Sequence, residues 1–531
     1  MNNLTIYEKA VRAFEYDKLG ELDKAKELYL EVLKEEPNNS EINKLLGVIE
    51  AKNKNFKKAL EYLEIALVRN KNDAYLLNNI GNVYRESGLQ LIAIEYYEKS
   101  IEIKNDFYQA YINKGVAQKN TRNFNEALLS FNKAIKIEPK DLEAYICRGN
   151  LLSEIGDLSE ALKDYEQAIK LNEKNALPYF NYAVVLKELK RNKEAINYFD
   201  KAIKLNVNYS EAYYNKSLTL LSEGQYEKGF EFYEWRWKIE NIKKKLGNNQ
   251  FNKSLWLGKE SLVNKTILIY SEQGLGDTLQ FCRYTKILAD HGATVVLEVQ
   301  RLLVNLLQNL DGVSKLVVKG DSIPEYDFQC PLMSMPLAFK TTTETIPSHI
   351  PYIHASSEKQ ARWREYLGET GFKIAICWQG SKQGKIDIGR SFPVSLFQNI
   401  ANIPRVRLIS LQKNEGVEQL MNLPEGMNIE TLPEDFDSGD NSFLDSAAVM
   451  KCVDLVITSD TALTHLAGAL GVKAWLPLKL VPDWRWMLEG SGTPWYPNHR
   501  LFRQKIRGDW ITVFNEMESE IKALVIINQY E

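Results

Sequence analysis

The chain has 531 residues, with 67 Lys and Arg against 70 Asp and Glu, a formal net charge of −3. This length predicts several domains, and the near-balanced charge gives no field that would favour nucleic acid or an anionic membrane surface. Five scattered cysteines, odd in number and without metal-site spacing, read as reduced core residues and exclude a disulfide framework and a structural zinc site.

No run approaches the eighteen or so apolar residues that span a bilayer, and the N-terminus opens on a charged amphipathic segment rather than a signal peptide. The expectation is a cytoplasmic chain with no integral membrane segment.

The first half is periodic. Gly47, Gly81, Gly115 and Gly149 stand 34 residues apart, and Ala183 and Ser217 continue the series. Ala25, Ala59, Ala93, Ala127, Ala161, Ala195 and Gly229 keep the same step, and Ala66, Ser100, Ala134, Ala168 and Ala202 form a third series. Tyr62, Tyr96, Phe131, Tyr165 and Phe199 fall between the last two. Small residues at fixed offsets in paired amphipathic stretches let two helices approach closely, with an aromatic ring filling the space between units. The pattern resembles the tetratricopeptide repeat (TPR) over roughly Ile6 to Trp237, about seven units.

Stacked helical hairpins expose a concave groove suited to a peptide. Asn79, Asn113, Cys147, Asn181 and Asn215 recur at one position of successive units. Asn79, Asn113, Asn181 and Asn215 form a ladder whose amides either pair with the backbone of an extended peptide or cap turns and face water. The ladder resembles that of the eukaryotic O-linked N-acetylglucosamine transferases, which implies a protein or peptide acceptor.

The repeat ends at Trp235-Arg236-Trp237, and a polar stretch with Lys243, Lys244 and Lys245 reads as a solvated linker. From Thr266 apolar β-rich runs alternate with helical patterns, which predicts parallel sheets with crossover helices. Strands are expected at Thr266–Tyr270, Ala293–Val299, Ser314–Val318 and Asp327–Cys330, then at Lys373–Trp378, Arg407–Leu411, Met427–Thr431, Leu455–Thr458 and Val472–Trp475. The domains implied are a helical superhelix over 1–238, a linker over 239–263, and two Rossmann-like halves over 264–360 and 361–531 with a cleft between them.

Two loops carry the chemistry. In Ser271-Glu272-Gln273-Gly274-Leu275-Gly276-Asp277, the glycines allow a tight turn and close approach of a ligand, while Asp277 is either a catalytic group or a helix cap. The second, Thr458 to Gly471, joins a strand to a helix whose N-terminus favours an anion, with Asp460 placed to accept from a ribose. Its run Asp460-Thr461-Ala462-Leu463-Thr464-His465-Leu466-Ala467-Gly468-Ala469-Leu470-Gly471 resembles the nucleotide-binding signature of the heptosyltransferase-like glycosyltransferases, which have the two-Rossmann-domain fold called GT-B.

The resemblance covers roughly residues 262 to 505 and implies further roles. Gly274 and Gly276 match the acceptor-side loop, with Asp277 as general base. Donor contacts are implied for Gly380, Ser381, Lys385, Arg390, Gln412, Lys413, Ser459, Asp460, Thr461, Ala462, Thr464 and His465. The tail Val481 to Trp486, with Trp495-Tyr496-Pro497, looks like bacterial proteins that join such repeats to such a domain, and its aromatics fit a core equally well. Asp435-Phe436-Asp437 sits in an acidic loop and reads as solvated.

Glycosyl transfer needs a base for the acceptor hydroxyl and N–H or cationic groups for the departing diphosphate. The expectation is therefore a metal-independent glycosyltransferase without a cofactor, with a nucleotide sugar as substrate, acting on a protein acceptor. A lipid or saccharide acceptor, or a scaffold with an inactive transferase domain, stands as the alternative.

Overall fold

The computed structural model describes residues 5–240, 242, 251–382, 387, 389–439 and 442–527. The chain divides into two compact units, one running to Leu189 and including Asn197–Val207, the other comprising Lys190–Ile196 and everything from Asn208.

The first unit is a TPR solenoid of helix pairs, beginning Ile6–Lys18 with Leu22–Glu35 and Ser40–Lys52 with Phe56–Arg69. The period is written into the backbone. Residues 20, 54, 88, 122, 156, 190 and 224, again 34 apart, all adopt positive φ at the turn inside each pair, with Gly at four positions and Lys or Arg at three. Between pairs, Asn39, Asp73, Asp141 and Asn175 cap the next helix by accepting from backbone N–H groups.

The small residues have a steric cause. A Cβ at Gly81, Gly115 or Gly149 would lie 2.6, 2.7 or 2.7 Å from the ring of Tyr97, Phe131 or Tyr165, and one at Gly47 would lie 2.5 Å from Leu63. The residue filling the gap is thus sixteen positions after the glycine. That corrects the expectation at the second and third units, where Leu63 and Tyr97 perform this packing rather than Tyr62 and Tyr96.

The second unit begins with the helical hairpin Ser210–Ser222 and Tyr226–Tyr233 and a 3-10 turn, Glu234–Lys238. Two five-stranded parallel sheets follow. The first contains β1 (Ser254–Leu255), β2 (Thr266–Tyr270), β3 (Thr294–Val299), β4 (Lys315–Val318) and β5 (Phe328–Pro331), in the order β1-β5-β2-β3-β4. The second contains β6 (Phe372–Cys377), β7 (Val406–Ser410), β8 (Leu455–Thr458), β9 (Ala474–Leu478) and β10 (His499–Arg503), in the order β10-β9-β8-β6-β7.

β1 lies inside the segment expected to be linker, and Lys243–Lys245 fall outside the described residues. The expected strand Met427–Thr431 reduces to one bridge, Ile409 to Glu430. β10 and the closing helix Trp510–Ile527 were not foreseen.

One apolar core joins Leu221, Tyr226, Phe230 and Tyr233 of the last hairpin to Trp484 and Trp495 and to residues of both sheets. The Trp495 indole N–H donates to the Tyr226 hydroxyl at 3.0 Å, so those tail tryptophans are core. Phe436 is also buried, and Asp437 accepts from the backbone N–H groups of Asp445 and Ser446 at the start of the helix Leu444–Met450. This overturns the solvated reading of that tripeptide, of which only Asp435 is exposed, paired with Arg362 at 2.8 Å.

Candidate active site

In doubly wound sheets, ligands sit beyond the carboxyl ends of the strands where the winding reverses. Here those points lie between β2 and β5 in the first sheet and between β6 and β8 in the second. The loops after β2 and β8 meet each other. Gly276 is the closest point, since a Cβ there would lie 2.7 Å from His465 Cδ2 and 3.5 Å from Ala462 Cα.

Asp277 belongs to the helix Leu275–Phe281. One carboxylate oxygen accepts from the Gly274 N–H at 2.9 Å, and the other pairs with the Arg485 guanidinium. Burial raises its pKa while Arg485 opposes the rise. Arg485 also donates to Asp483 at 2.9 Å, so one buried guanidinium holds two aspartates. Near it, burial and the neighbouring Asp483 push Asp460 up to about 6.

His465 is buried, with Nδ1 3.0 Å from the Tyr496 hydroxyl and its ring stacked on Trp486. Burial, reinforced by Arg485, His499 and Arg283, drives its pKa well below the ordinary value, so it is neutral. Thr464 points to His499, with Oγ1 3.2 Å from Nε2. Both side chains are spent on packing, and their roles as donor contacts rest on the resemblance alone.

The switch point between β6 and β8 is flanked by the loops that follow those strands, Trp378 to Ser381 and Ser459 to Thr461. Gly380 N–H donates to Ser391 Oγ at 3.1 Å, and a Cβ at Gly380 would overlap the Arg390 guanidinium. Arg390 donates to the backbone oxygens of Asp460 at 3.1 Å and Ser381 at 3.4 Å, tying the two loops together. Two buried polar atoms in these loops have no partner among the described residues, Gln379 Nε2 and Ser459 Oγ. The helix Ala462–Ala469 starts from Thr461, whose side chain makes no capping bond.

Gln412 is committed to the backbone. Its oxygen accepts from the N–H groups of Trp378 and Gln379 at 3.0 Å each, and its amide donates to Gln379 O at 2.9 Å and Glu415 O at 2.7 Å. Lys413 donates to the Phe436 carbonyl. Lys385 lies outside the described residues.

Among the repeat asparagines, Asn113 donates to Asn78 at 3.0 Å and accepts from Arg85 at 3.1 Å, and Asn181 donates to Asn150 at 3.0 Å. In the second unit Asn215 donates to Glu211 O of its own helix at 2.9 Å. Asn79 is half-buried, and its side chain has no hydrogen bond among the described residues.

The residues that sequence reasoning left without a role are Glu272, Arg236 and Arg485. A signal was present in the repeated tripeptide Trp-Arg-Trp, at 235–237 and 484–486. Both copies form 3-10 turns, and both arginines are buried against carboxylates of the 271–277 loop.

The fold and these loops define a TPR solenoid followed by an α/β module of two parallel sheets whose strand-end loops converge. Tetratricopeptide-repeat families match residues 11–75, 74–107, 108–141, 130–163, 149–190, 177–208 and 210–234. The chain is 24% identical over 312 residues to Protein FlbA of Caulobacter vibrioides, covering 55% of this chain and 51% of FlbA. It is 32% identical over 101 residues to Protein O-mannosyl-transferase TMTC1 of Mus musculus, covering 18% of this chain and 11% of that protein. The chain thus spans about half the length of FlbA. Among solved structures it is similar to MamA, at 25% identity and a TM-score of 0.28, with 30% of this chain and 95% of MamA covered. It is also similar to YrrB, described as a TPR protein with an unusual peptide-binding site, at 22% identity and a TM-score of 0.28, with 34% and 92% covered. No helix among the described residues is long and apolar enough to cross a membrane.

Proposed function

We propose that this chain is a glycosyltransferase that moves a sugar from a nucleotide-sugar donor to a protein acceptor held by the TPR repeats. The observation that carries the reading is the difference between the two strand-end crevices. The one between β6 and β8 holds unpartnered buried donors, Gln379 Nε2 and Ser459 Oγ, beside the start of a helix that no side chain caps. Such a place suits a diphosphate and its sugar. The one between β2 and β5 is occupied by the protein's own Arg236, which reaches Glu272 after β2 and Ser334 after β5.

On this reading Asp460, near the head of that helix, would accept from the ribose, and Arg390, in the loop after β6, would face the diphosphate. The loop carrying Gly274, Gly276 and Asp277 brings the acceptor hydroxyl, with Asp277 taking its proton. The partial likeness to an O-mannosyl-transferase, together with repeats of a kind that bind polypeptides, supports a protein acceptor over a lipid or saccharide. One observation favours an inactive scaffold: both oxygens of Asp277 already accept a hydrogen bond, one from the Gly274 N–H and one from Arg485, which leaves only their second lone pairs for an acceptor hydroxyl.

The test is calorimetric titration of the full chain with UDP-, ADP-, GDP- and CMP-sugars, with Asp460→Ala as comparison. One donor should bind, and the variant should weaken it by roughly 1–3 kcal/mol for a lost hydrogen bond to a charged group. Absence of binding by every donor, or equal affinity in the variant, removes the reading.

A further inference from the structure

The loop 271–277 is gripped at both ends by an arginine from a Trp-Arg-Trp turn, and one of them, Arg485, pairs with Asp277. The other, Arg236, comes from the turn that ends the repeats. Its side chain is fully buried and donates to Glu234 Oε1 at 2.6 Å, Ser334 Oγ at 2.8 Å and Glu272 Oε1 at 3.2 Å. The same Glu272 oxygen accepts from the Met333 N–H at 3.1 Å. One residue on, Gln273 donates to the Tyr233 hydroxyl at 2.8 Å, and its carbonyl accepts from Gln300 at 2.9 Å. Two successive loop residues are therefore held by two residues of the last hairpin and its turn.

The bonds of Arg236 to Glu272 and Ser334 and of Met333 to Glu272 are buried, those of Gln273 part-buried, and they end at the residue before Gly274. A carboxylate taken out of water keeps its charge only beside a cation. Burial raises Glu272 to about 7 even against the pull of Arg236, so removing that guanidinium would push the carboxyl further up and leave it protonated at neutral pH. The loop would then keep its covalent path but lose the ion pair that fixes its first half.

Resting on the transfer reading, the geometry points to Arg236 and Tyr233 as positioning residues that set the 271–277 loop for the acceptor. The end of the repeat array is on this account a part of the active centre, and it acts through Glu272 and Gln273 without touching substrate.

The test uses the full chain with Arg236→Lys, Arg236→Met and Tyr233→Phe. Amide exchange followed by mass spectrometry should show the segment 271–278 exchanging about tenfold or more faster in Arg236→Met, and several-fold faster in Tyr233→Phe, with segments covering β8 to β10 unchanged. With an active donor and acceptor pair, kcat should fall about tenfold or more in Arg236→Met while the donor KM stays within about twofold, because the donor loops are untouched. Arg236→Lys should recover part of both effects, since it restores charge without the forked donor set. If Arg236→Met does not fold, Tyr233→Phe decides, because it removes one hydroxyl and leaves the ion pair. Unchanged exchange of 271–278 in folded Tyr233→Phe and Arg236→Lys overturns the proposal. A wild-type chain that transfers no sugar overturns the transfer reading instead and leaves the exchange result standing.

Discussion

Gly276→Ala probes the contact between the two strand-end loops. Its φ is not positive, so the substitution meets no backbone strain, and alanine in a helix is favoured over glycine by up to about 1 kcal/mol. Opposing this, the new Cβ would sit 2.7 Å from His465 Cδ2 where ordinary contact begins at 3.4 Å, an overlap of about 0.7 Å. His465 cannot easily yield, because its Nδ1 bonds to Tyr496 at 3.0 Å and its ring lies on Trp486 at 5.5 Å between centroids. Overpacking of this kind costs about 1–3 kcal/mol, leaving a net loss of about 0–2 kcal/mol once the full helical gain is subtracted. Gly492→Ala is the control, since nothing lies within 4 Å of its added Cβ and its φ is also not positive. The assay is urea unfolding followed by tryptophan fluorescence. All ten tryptophans fall between Trp235 and Trp510, so the signal reports the second unit alone. A midpoint for Gly276→Ala equal to or above that of Gly492→Ala refutes the packing argument.

Asp277→Ala should reduce transfer by about 10²-fold or more while leaving donor affinity nearly unchanged, as single-turnover and binding measurements would show; undiminished turnover removes it as the base. If the repeats hold the acceptor, Asn79→Ala, which removes a side-chain amide without a hydrogen bond among the described residues, should raise the acceptor KM several-fold with unchanged helical circular dichroism, at about 0.5–1.5 kcal/mol per lost contact. An unchanged acceptor KM would take Asn79 out of the groove. Burial lowers the pKa of His499 from 6.5 to about 4. The unfolded chain therefore binds the extra proton, and stability falls as pH drops from about 6.5 towards 4, by about 1.4 kcal/mol per pH unit at most. His499→Gln should lose less over that window in denaturation curves, and parallel losses would disprove the linkage.

The helical half was legible because each 34-residue step repeats one steric problem, and glycine faces a ring at Gly81, Gly115 and Gly149 alike. What periodicity could not settle was which of two adjacent residues faces inward, hence Tyr97 rather than Tyr96. The central strands were legible as apolar runs buried on both faces, whereas β1, two residues at a sheet edge, and β10, with exposed Arg500 inside it, lack that signature. The strand-end loops announced themselves through Gly274, Gly276 and the Asp460–Gly471 run. The positions of Lys413, Gln412 and Thr464 did not, because a sequence does not reveal that a nearby carbonyl or imidazole has already claimed a side chain. Nor does it couple Arg236 to Glu272, 36 residues apart and joined only by the fold.

The hairpin Ser210–Tyr233 obeys the repeat pattern in sequence yet contributes Leu221, Tyr226, Phe230 and Tyr233 to the core of the α/β unit. Duplication or loss of whole repeats can therefore lengthen or shorten the array only upstream of it. A 34-residue deletion removing that last hairpin would strip the hydroxyl partner from Trp495 and the guanidinium from Glu272 at once. A change in repeat number that spares both bonds, over evolution or by engineering, therefore has to fall before Ser210.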